Sequence, residues 1–349
     1  GSDETRISIN TQTHIVTDLV KIQGEYVLDN SHIEDDGDVE LYLVAAELLV
    51  GAIINGTSGN DKLYGYSGND TINGLKGDDW LYGGLGDDTL DGGDGFDRID
   101  FRDSTAAVVV DLGASTATGN AIGANKIVNI ERVIGSDFDD TLTGSNTDND
   151  VWESFTGGLG NDIIDGAGGG DYVWYGKSSS AIYVDLSTGV AAGGEGIDQL
   201  ISIEEVGGSN FADTFLGSEG NDGFEPDALG DEGAGSNFKV GGADIIDGKG
   251  GIDTVSYHNT QNDDGFTPSG IVANLLLGTV VDAAGNTDRL SNIENIYGSP
   301  YDDNITGDNS ANKLEGREEN DTLTGGAGND TLNGGTGDDI LDGGTGNNT

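Results

Sequence analysis

The chain has 349 residues, with 64 Asp and Glu against 14 Lys and Arg, 62 Gly and no Cys. Its formal net charge of −50 opposes a compact state unless a cation neutralises it, and it argues against nucleic acid as a partner. The composition excludes disulfides and thiolate metal sites, and no apolar run reaches the roughly 18 residues that a membrane-spanning helix needs.

The N-terminal segment, residues 1–55, differs from the rest of the chain. Ile7 and Ile9 and the stretch 26–28 indicate strands, and residues 39–50 are strongly apolar. If the repeats that follow stack on one another, their first coil needs a cover. We therefore predict a β-rich capping segment in preference to a separate domain. No basic segment of the kind that begins a signal peptide is recognisable.

From residue 56 to residue 101 the sequence follows a nine-residue period. The unit GGLGDDTLD at 83–91 is preceded in the same frame by GLKGDDWLY and GYSGNDTIN. An aspartate ends the glycine-rich part of each unit, and an apolar residue follows two positions later. The aspartates are Asp61, Asp70, Asp79, Asp88 and Asp97, and their apolar partners are Leu63, Ile72, Leu81, Leu90 and Ile99. Five copies in one frame indicate a repeat fold rather than isolated β-turns.

Each unit predicts a turn followed by a strand. The residues G-G-x-G-x-D form the turn, because glycine tolerates positive φ and a close approach of backbones. The last three residues form a short strand whose central apolar side chain faces the core. Two units make one coil, so coils stack at about 4.8 Å and Asp61 lies beside Asp79. Calcium takes about six to eight oxygen ligands, which aspartates and backbone carbonyls of neighbouring coils can supply.

Aspartates in the same frame extend this prediction along the chain. Beyond residue 101 the predicted metal-binding aspartates are Asp140, Asp162, Asp171, Asp213, Asp222, Asp244, Asp253, Asp303, Asp321, Asp330 and Asp339. The expected fold class is all-β, a right-handed parallel β-roll or β-helix solenoid in several blocks joined by β-rich spacer coils. The predicted divisions are the capping segment 1–55, a repeat block at 56–101, and three spacer-plus-block segments at 102–174, 175–257 and 258–349.

A longer motif recurs three times between the blocks. Its copies contain VVVDL at 108–112, IYVDL at 182–186 and IVANL at 271–275, followed by IVNIE, LISIE or LSNIE. Each copy is rich in β-branched residues and returns to the nonapeptide frame at its last aspartate. We expect a wider coil or a hairpin that continues the stack. The acidic, glycine-rich insertion at 217–237 is expected to be a surface loop.

The nonapeptide resembles the G-G-x-G-x-D-x-U-x repeat of repeats-in-toxin (RTX) proteins, a calcium-binding β-helix signature. The resemblance implies several calcium ions, export by a type I secretion apparatus and folding outside the cell. Asn312 and Asn348 replace the aspartate in two units, so weaker sites are expected there. The resemblance also implies that carbonyls of the glycine turns are ligands, and here these would belong to Gly65, Gly68, Gly74, Gly77, Gly83, Gly84, Gly86, Gly157, Gly158, Gly160, Gly316, Gly325, Gly326, Gly328, Gly334, Gly335 and Gly337.

Recognisable catalytic motifs are absent from the sequence. His14, His32 and His258 lie far apart and form no HExxH zinc motif, and there is no G-x-S-x-G nucleophile motif. Paired carboxylates occur throughout, so no glycosidase pair can be singled out. The acidic residues are better explained as calcium ligands and solvated surface. We therefore expect that this chain is not an enzyme.

The sequence favours a calcium-binding RTX module of a secreted Gram-negative bacterial protein, serving as a structural, adhesin or surface-layer element. Two alternatives stay open: the C-terminal part of an exoenzyme such as a metalloprotease, lipase or alginate epimerase, or a carbohydrate-binding module for a cell-surface or extracellular glycan. Trp152, in an irregular insert, is the more open candidate for glycan contact, whereas Trp80 and Trp174 occupy strand positions. The last unit ends in mid-repeat at Thr349, as expected of part of a longer protein.

Overall fold

The structure is a computed structural model that describes residues 51–145, 152–227, 241–258 and 269–349, with the backbone of strands at 7–10, 15–19 and 39–41. Among these residues there is no helix of the length and apolar character needed to cross a membrane. The chain divides into two compact units, Gly1–Gly169 and Gly170–Thr349. Each unit is built from stacked parallel strands, as expected for an all-β parallel β-roll.

The first unit contains sixteen described strands. They are β1 Ile7–Asn10, β2 Ile15–Leu19, β3 Val39–Leu41, β4 Ile53–Asn55, β5 Asp61–Tyr64, β6 Thr71–Lys76, β7 Trp80–Tyr82, β8 Thr89–Asp94, β9 Arg98–Asp100, β10 Val108–Asp111, β11 Thr116–Gly119, β12 Gly123–Val128, β13 Arg132–Ile134, β14 Thr141–Thr143, β15 Trp152–Thr156 and β16 Ile163–Asp165.

The second unit contains eighteen described strands. They are β17 Gly170–Trp174, β18 Tyr183–Asp185, β19 Val190–Gly193, β20 Gly196–Ile201, β21 Glu205–Gly207, β22 Thr214–Leu216, β23 Gly223–Glu225, β24 Ile245–Asp247, β25 Thr254–Ser256, β26 Val272–Asn274, β27 Thr279–Val281, β28 Thr287–Ser291, β29 Asn295–Tyr297, β30 Asn304–Thr306, β31 Lys313–Glu318, β32 Thr322–Thr324, β33 Thr331–Thr336 and β34 Ile340–Asp342.

Strand register in the repeat blocks follows the nine-residue period. In one wall of the first unit β4, β6 and β8 pair in parallel and align Ile72 with Leu90. In the other wall β5, β7 and β9 pair in parallel and align Leu81 with Ile99. Paired residues are eighteen positions apart, which confirms that two nonapeptide repeats form one coil. The apolar residues expected in the core, Leu63, Ile72, Leu81, Leu90 and Ile99, are fully buried.

Each spacer forms a three-stranded antiparallel meander rather than a simple coil. In the first unit β10, β11 and β12 pair antiparallel in sequence, β12 also pairs in parallel with β8, and β10 with β14. In the second unit β26, β27 and β28 repeat this arrangement, with β28 on β24 and β26 on β30. The middle copy along the chain, formed by β18, β19 and β20, is also an antiparallel meander. The outer strands of a meander thus continue the parallel stack, as predicted.

The expected surface loop at 217–237 is wrong for its first part, because β23 lies in this stretch and pairs in parallel with β21 and β25. The physical reason is that Asp222 and Phe224 keep the repeat frame, and Phe224 is fully buried. Residues 228–237 lie outside the described residues.

The capping role of residues 1–55 remains a prediction. In this segment the structure describes strand β4, strand β3, which pairs in parallel with β5, and the antiparallel pair of β1 and β2.

Candidate metal centres

The predicted aspartates form rows in which each contacts its equivalent in the next coil. The backbone N–H of Asp61 donates to Oδ1 of Asp79 at 2.8 Å, and the N–H of Asp79 donates to Oδ1 of Asp97 at 2.8 Å. In the parallel row the N–H of Asp70 donates to Oδ1 of Asp88 at 2.8 Å. The coil therefore brings aspartates eighteen residues apart into direct contact, as the spacing predicts.

The same row contact occurs in the shorter and C-terminal blocks. The distances from the backbone nitrogen to Oδ1 are 2.8 Å for Asp140 to Asp162, 2.6 Å for Asp213 to Asp244, 2.8 Å for Asp222 to Asp253, 2.8 Å for Asp303 to Asp321 and 3.0 Å for Asp321 to Asp339. Asp171 and Asp330 occupy equivalent positions and donate to Glu204 and Asn348. Apart from Asp339, which is partly exposed, every predicted aspartate is buried.

The glycine turns shape the space around these carboxylates. A Cβ on Gly65 would lie 2.7 Å from Oδ2 of Asp70, so the first glycine of a unit leaves room for the aspartate of its own turn. The later glycines adopt positive φ, with 84° at Gly84 and 140° at Gly86, where an L side chain would be strained. A Cβ on Gly65 would also overlap the carbonyl oxygen of Gly83 in the next coil. Carbonyl and carboxylate oxygens therefore converge on each turn.

The glycines predicted to contribute carbonyls lie in turns of this kind. Positive φ is found at Gly68, Gly77, Gly84, Gly86, Gly158, Gly160, Gly326, Gly328, Gly335 and Gly337. A Cβ would crowd the carboxylate of the aspartate five positions later at Gly65, Gly74, Gly83, Gly157, Gly316, Gly325 and Gly334. The structure therefore assigns the two groups of glycines different local roles. That the carbonyl oxygens of these glycines bind calcium stays a prediction.

Burial disfavours the ionised form of the row carboxylates. Burial, with neighbouring Asp97 and Asp61 adding repulsion, raises the pKa of Asp79 to about 7. Burial likewise raises the pKa of Asp88 and Asp97 to about 6. Burial and the nearby charge of Asp288 raise the pKa of Asp244 to about 9. Keeping these carboxylates ionised in the folded chain therefore costs free energy, which a bound cation would offset.

Unsatisfied oxygens show that these sites fit calcium. Within the described chain, one buried carboxylate oxygen has no hydrogen-bond donor in each of Asp61, Asp70, Asp79, Asp88, Asp97, Asp244, Asp253, Asp321 and Asp330. A buried anionic oxygen left unpaired is costly, and a hard cation bound by oxygen ligands removes that cost. No three acidic or histidine side chains converge as a metal site among the described residues. Backbone carbonyls must therefore complete the coordination shell, as the turns allow.

Five spacer residues also stand in the rows, and none of them was predicted from the sequence as a site residue. Glu131, Glu204 and Glu294 accept the backbone N–H of Asp97, Asp171 and Asp253, with Oε2 at 2.8, 3.1 and 2.9 Å. In the other row Asn125 accepts from Asp88 at 2.7 Å and Asp288 accepts from Asp244 at 2.9 Å. In the remaining spacer copy Asp198 holds the equivalent sequence position, two residues before the buried Leu200. The available signal was the apolar core residue two positions later, such as Val133 after Glu131.

The asparagine variants of the repeat form different contacts. Asn312 donates its backbone N–H to Oδ1 of Asp330 at 3.0 Å, so it keeps its place in the row. Its Nδ2 donates to the carbonyl of Glu294 at 2.9 Å, which supplies a neutral contact instead of a charge. Asn348 accepts from Asp330 at 2.9 Å and also donates to the carbonyl of Gly343. Weaker cation binding at both positions stays a prediction.

His258 is the histidine whose side chain the structure describes. Its Nδ1 lies 2.7 Å from Oγ of Ser256 and 3.1 Å from Oε1 of Glu225. These two contacts share one ring nitrogen, so they do not by themselves form a serine–histidine–acid relay, which needs its partners on opposite nitrogens. The side chains of His14 and His32 lie outside the described residues.

The three tryptophans occupy different environments. The ring of Trp80 lies 3.9 Å from the guanidinium carbon of Arg98 and 4.8 Å from Nζ of Lys62, and Trp174 is buried, in keeping with a packing role for both. The placement of Trp152 in an irregular insert is wrong, since Trp152 begins strand β15 and its ring packs 5.3 Å from that of Phe96. Strand pairing of the residues that follow Trp152 with β13 accounts for the difference.

Comparison with known proteins agrees with this geometry. A family model described as the RTX calcium-binding nonapeptide repeat (4 copies) matches residues 52–79, 64–99, 129–152, 153–178, 291–323 and 315–349. A search of curated proteins gives no significant match. The matched segments contain most of the stacked aspartates and their glycine turns. The chain therefore contains several copies of the RTX nonapeptide repeat, a repeat that binds calcium.

Proposed function

We propose that this chain is a calcium-dependent folding module of a secreted Gram-negative bacterial protein, with a structural role in an adhesin or surface-layer protein. The observation that carries the proposal is the double row of buried carboxylates, several of which have an oxygen without a hydrogen-bond donor in the described chain, so that a bound cation would stabilise the folded state. Where calcium is scarce, the acidic chain stays unfolded and suited to a type I export channel. Calcium outside the cell binds the rows and drives folding.

The proposal gives the chain no catalytic role of its own. It also leaves room for the second origin considered above, in which the same calcium module follows the catalytic part of an exoenzyme. In that case the catalytic residues belong to other segments of the protein. Chemical activity would then require those segments, whereas calcium-dependent folding would require only the repeats.

Asp79→Asn is expected to weaken calcium binding by at least roughly tenfold, because it removes one charge from a buried row while keeping the side chain nearly isosteric. Asp78→Asn is the matched control, since Asp78 is the adjacent aspartate of the same turn but is exposed. Isothermal titration calorimetry with calcium measures both variants. Equal loss of affinity in the two variants would contradict a specific role of the row.

A groove on the first unit favours the carbohydrate-binding alternative as a second candidate function. Its volume is about 350 Å³, and its wall contains Tyr64, whose ring stacks on that of Tyr82 at 4.3 Å and 11°. Tyr66 lines the same groove and is 42% exposed. Asp103, Ser104 and Thr105 provide hydrogen-bonding groups beside these rings. A flat aromatic surface can stack on the apolar face of a neutral sugar ring, and the polar groups beside it can hydrogen-bond to the sugar hydroxyls.

Tyr66→Ala is expected to abolish binding of neutral disaccharides such as maltose or cellobiose to the calcium-loaded protein. Tyr183→Ala is the matched control, because Tyr183 is equally exposed at 42% but lies on β18 in the second unit. Ligand-observed NMR detects the weak binding expected of such a groove. The carbohydrate role is wrong if neither sugar binds the unmodified protein, or if the two variants bind equally well.

A further inference from the structure

The glutamate that ends each spacer motif takes the place of a repeat aspartate. Oε2 of Glu131 accepts the N–H of Asp97 at 2.8 Å, just as Oδ1 of Asp97 accepts the N–H of Asp79 at 2.8 Å. Glu294 makes the same contact with Asp253 at 2.9 Å. Because the contact recurs in all three spacers, it is a feature of the motif rather than of one loop.

Backbone carbonyls complete the equivalence. In the repeat block, a Cβ on Gly74 would overlap the carbonyl oxygen of Gly92 and the carboxylate of Asp79. At the junction with the spacer, a Cβ on Gly92 would overlap the carbonyl oxygen of Asn129 and would lie 2.5 Å from Oδ2 of Asp97. The carbonyl of Asn129 therefore occupies the place that a glycine carbonyl occupies elsewhere. In the second unit, a Cβ on Gly248 would likewise overlap the carbonyl oxygen of Asn292 and the carboxylate of Asp253.

The spacer turn explains why the row residue is glutamate. Asn129 and Asn292 adopt a left-handed conformation, with φ of 52° at each, and Ser202 at 50° is their counterpart in the other copy. From this left-handed residue the chain reaches the glutamate after one isoleucine, a shorter path than from Gly92 to Asp97. The extra methylene of glutamate extends the carboxylate from this short turn to the row.

Buried oxygens at two of these junctions lack a partner. Asp97 is 0% exposed and Asp253 is 1% exposed, and Oδ2 of each accepts no hydrogen bond from the part of the chain that the structure describes. Each faces a junction that also contains a glutamate carboxylate and a spacer carbonyl. These are oxygen ligands of the kind that calcium prefers, and their anionic charge has no basic partner among the contacts described above.

We propose that Glu131, Glu204 and Glu294 are calcium ligands that, with Asp97, Asp171 and Asp253, form a cation site where each spacer joins a repeat coil. This inference rests on the proposed calcium function and adds sites that the nonapeptide motif does not contain. The calcium row on this side of each unit then continues through the spacers instead of ending at each repeat block.

The opposite row has a different chemistry at the same junctions. Asn125 supplies a neutral amide there, and Asp288 accepts a hydrogen bond on Oδ2 from the hydroxyl of Tyr257 at 2.8 Å. Asp198 accepts a similar bond from Tyr175 at 2.9 Å. Asn125 brings no charge, and the tyrosine hydroxyls partner one carboxylate oxygen of Asp288 and of Asp198. We therefore expect higher calcium occupancy at the three glutamate junctions than at these three positions.

Anomalous diffraction from calcium-grown crystals of the whole chain tests the sites directly. The expected result is a calcium peak between Asp97 and Glu131, with equivalent peaks at Glu204 and Glu294 that are stronger than any at Asn125, Asp198 or Asp288. Peaks between repeat aspartates with none at the glutamate junctions would overturn this inference alone. Absence of peaks between Asp61 and Asp79 as well would overturn the proposed calcium function.

Glu294→Gln gives a second readout in solution. Glutamine can still accept the N–H of Asp253, so a merely structural contact survives while the charge is lost. Circular dichroism verifies the fold, and calcium content after equilibrium dialysis is expected to fall by one ion per chain. The control Glu219→Gln alters an exposed turn glutamate and is expected to keep the full content. Unchanged calcium content in folded Glu294→Gln protein would refute the assignment of Glu294.

Discussion

In excess chelator the chain is expected to lose its β-type circular dichroism signal, and millimolar calcium is expected to restore it. Unpaired carboxylates such as Asp79, 0% exposed in the folded chain, repel one another when no cation lies near them. An ion present at 100 times its dissociation constant adds about 2.7 kcal/mol to the free energy of unfolding. Several ions together therefore match or exceed the roughly 5–15 kcal/mol that keeps a typical domain folded.

Magnesium at the same concentration is the control for this calcium titration. Magnesium requires near-octahedral geometry and gives up its water reluctantly, so it is expected to restore much less of the signal than calcium. The transition with calcium is expected to be steep, because each row aspartate contacts the next coil and a bound ion there would couple neighbours. A full β signal in chelator would show that the metal-free rows are tolerated, which contradicts the proposed folding switch.

The sequence period predicted the repeat blocks well, for a simple physical reason. A strand alternates its side chains, so an apolar residue two positions after each aspartate has to face the core, as Leu81 and Ile99 do. An interval of nine between aspartates also fixes which coil lies above which. The contact between Asp61 and Asp79 follows from that register alone. Local spacing was therefore sufficient wherever the glycine frame continued.

The spacers were harder to predict because their turns are not made of glycine. Asn129 adopts the left-handed conformation that glycine adopts elsewhere, and the shorter turn places Glu131 in the row in place of an aspartate. A search for aspartates at fixed intervals cannot find such a residue. Alignment of the three spacers on the core residue that follows, Val133 in the first copy, would have identified it.

Trp152 illustrates a second limit of sequence reasoning. It precedes β-forming residues but follows a polar stretch at 144–150, so the local composition indicates an irregular segment. The parallel pairing of Ser154 with Arg132 shows that the strand is imposed by its neighbour in the stack. Tertiary pairing of this kind overrides local preference, because β propensity depends strongly on context.

The response to acid is expected to reverse sign between the metal-free and the calcium-bound protein. Burial raises the pKa of Asp79 and Asp303 to about 7, against an ordinary value of 3.8. Between these values the metal-free folded chain binds more protons than the unfolded chain, so its free energy of unfolding falls as pH rises. Lowering the pH from 8 to 5 in chelator is therefore expected to increase the β signal.

With saturating calcium the same change in pH is expected to destabilise the protein. Calcium favours the ionised carboxylate, so protons compete with the ion and acid releases it. The circular dichroism β signal at pH 5, 6, 7 and 8 in chelator, and thermal unfolding at the same pH values in calcium, measure the two arms. The range stops above the isoelectric point of about 4.1, where loss of net charge promotes association. If acid shifts both arms in the same direction, protons and calcium are not alternative ways of neutralising these carboxylates, and cation compensation of the rows is refuted.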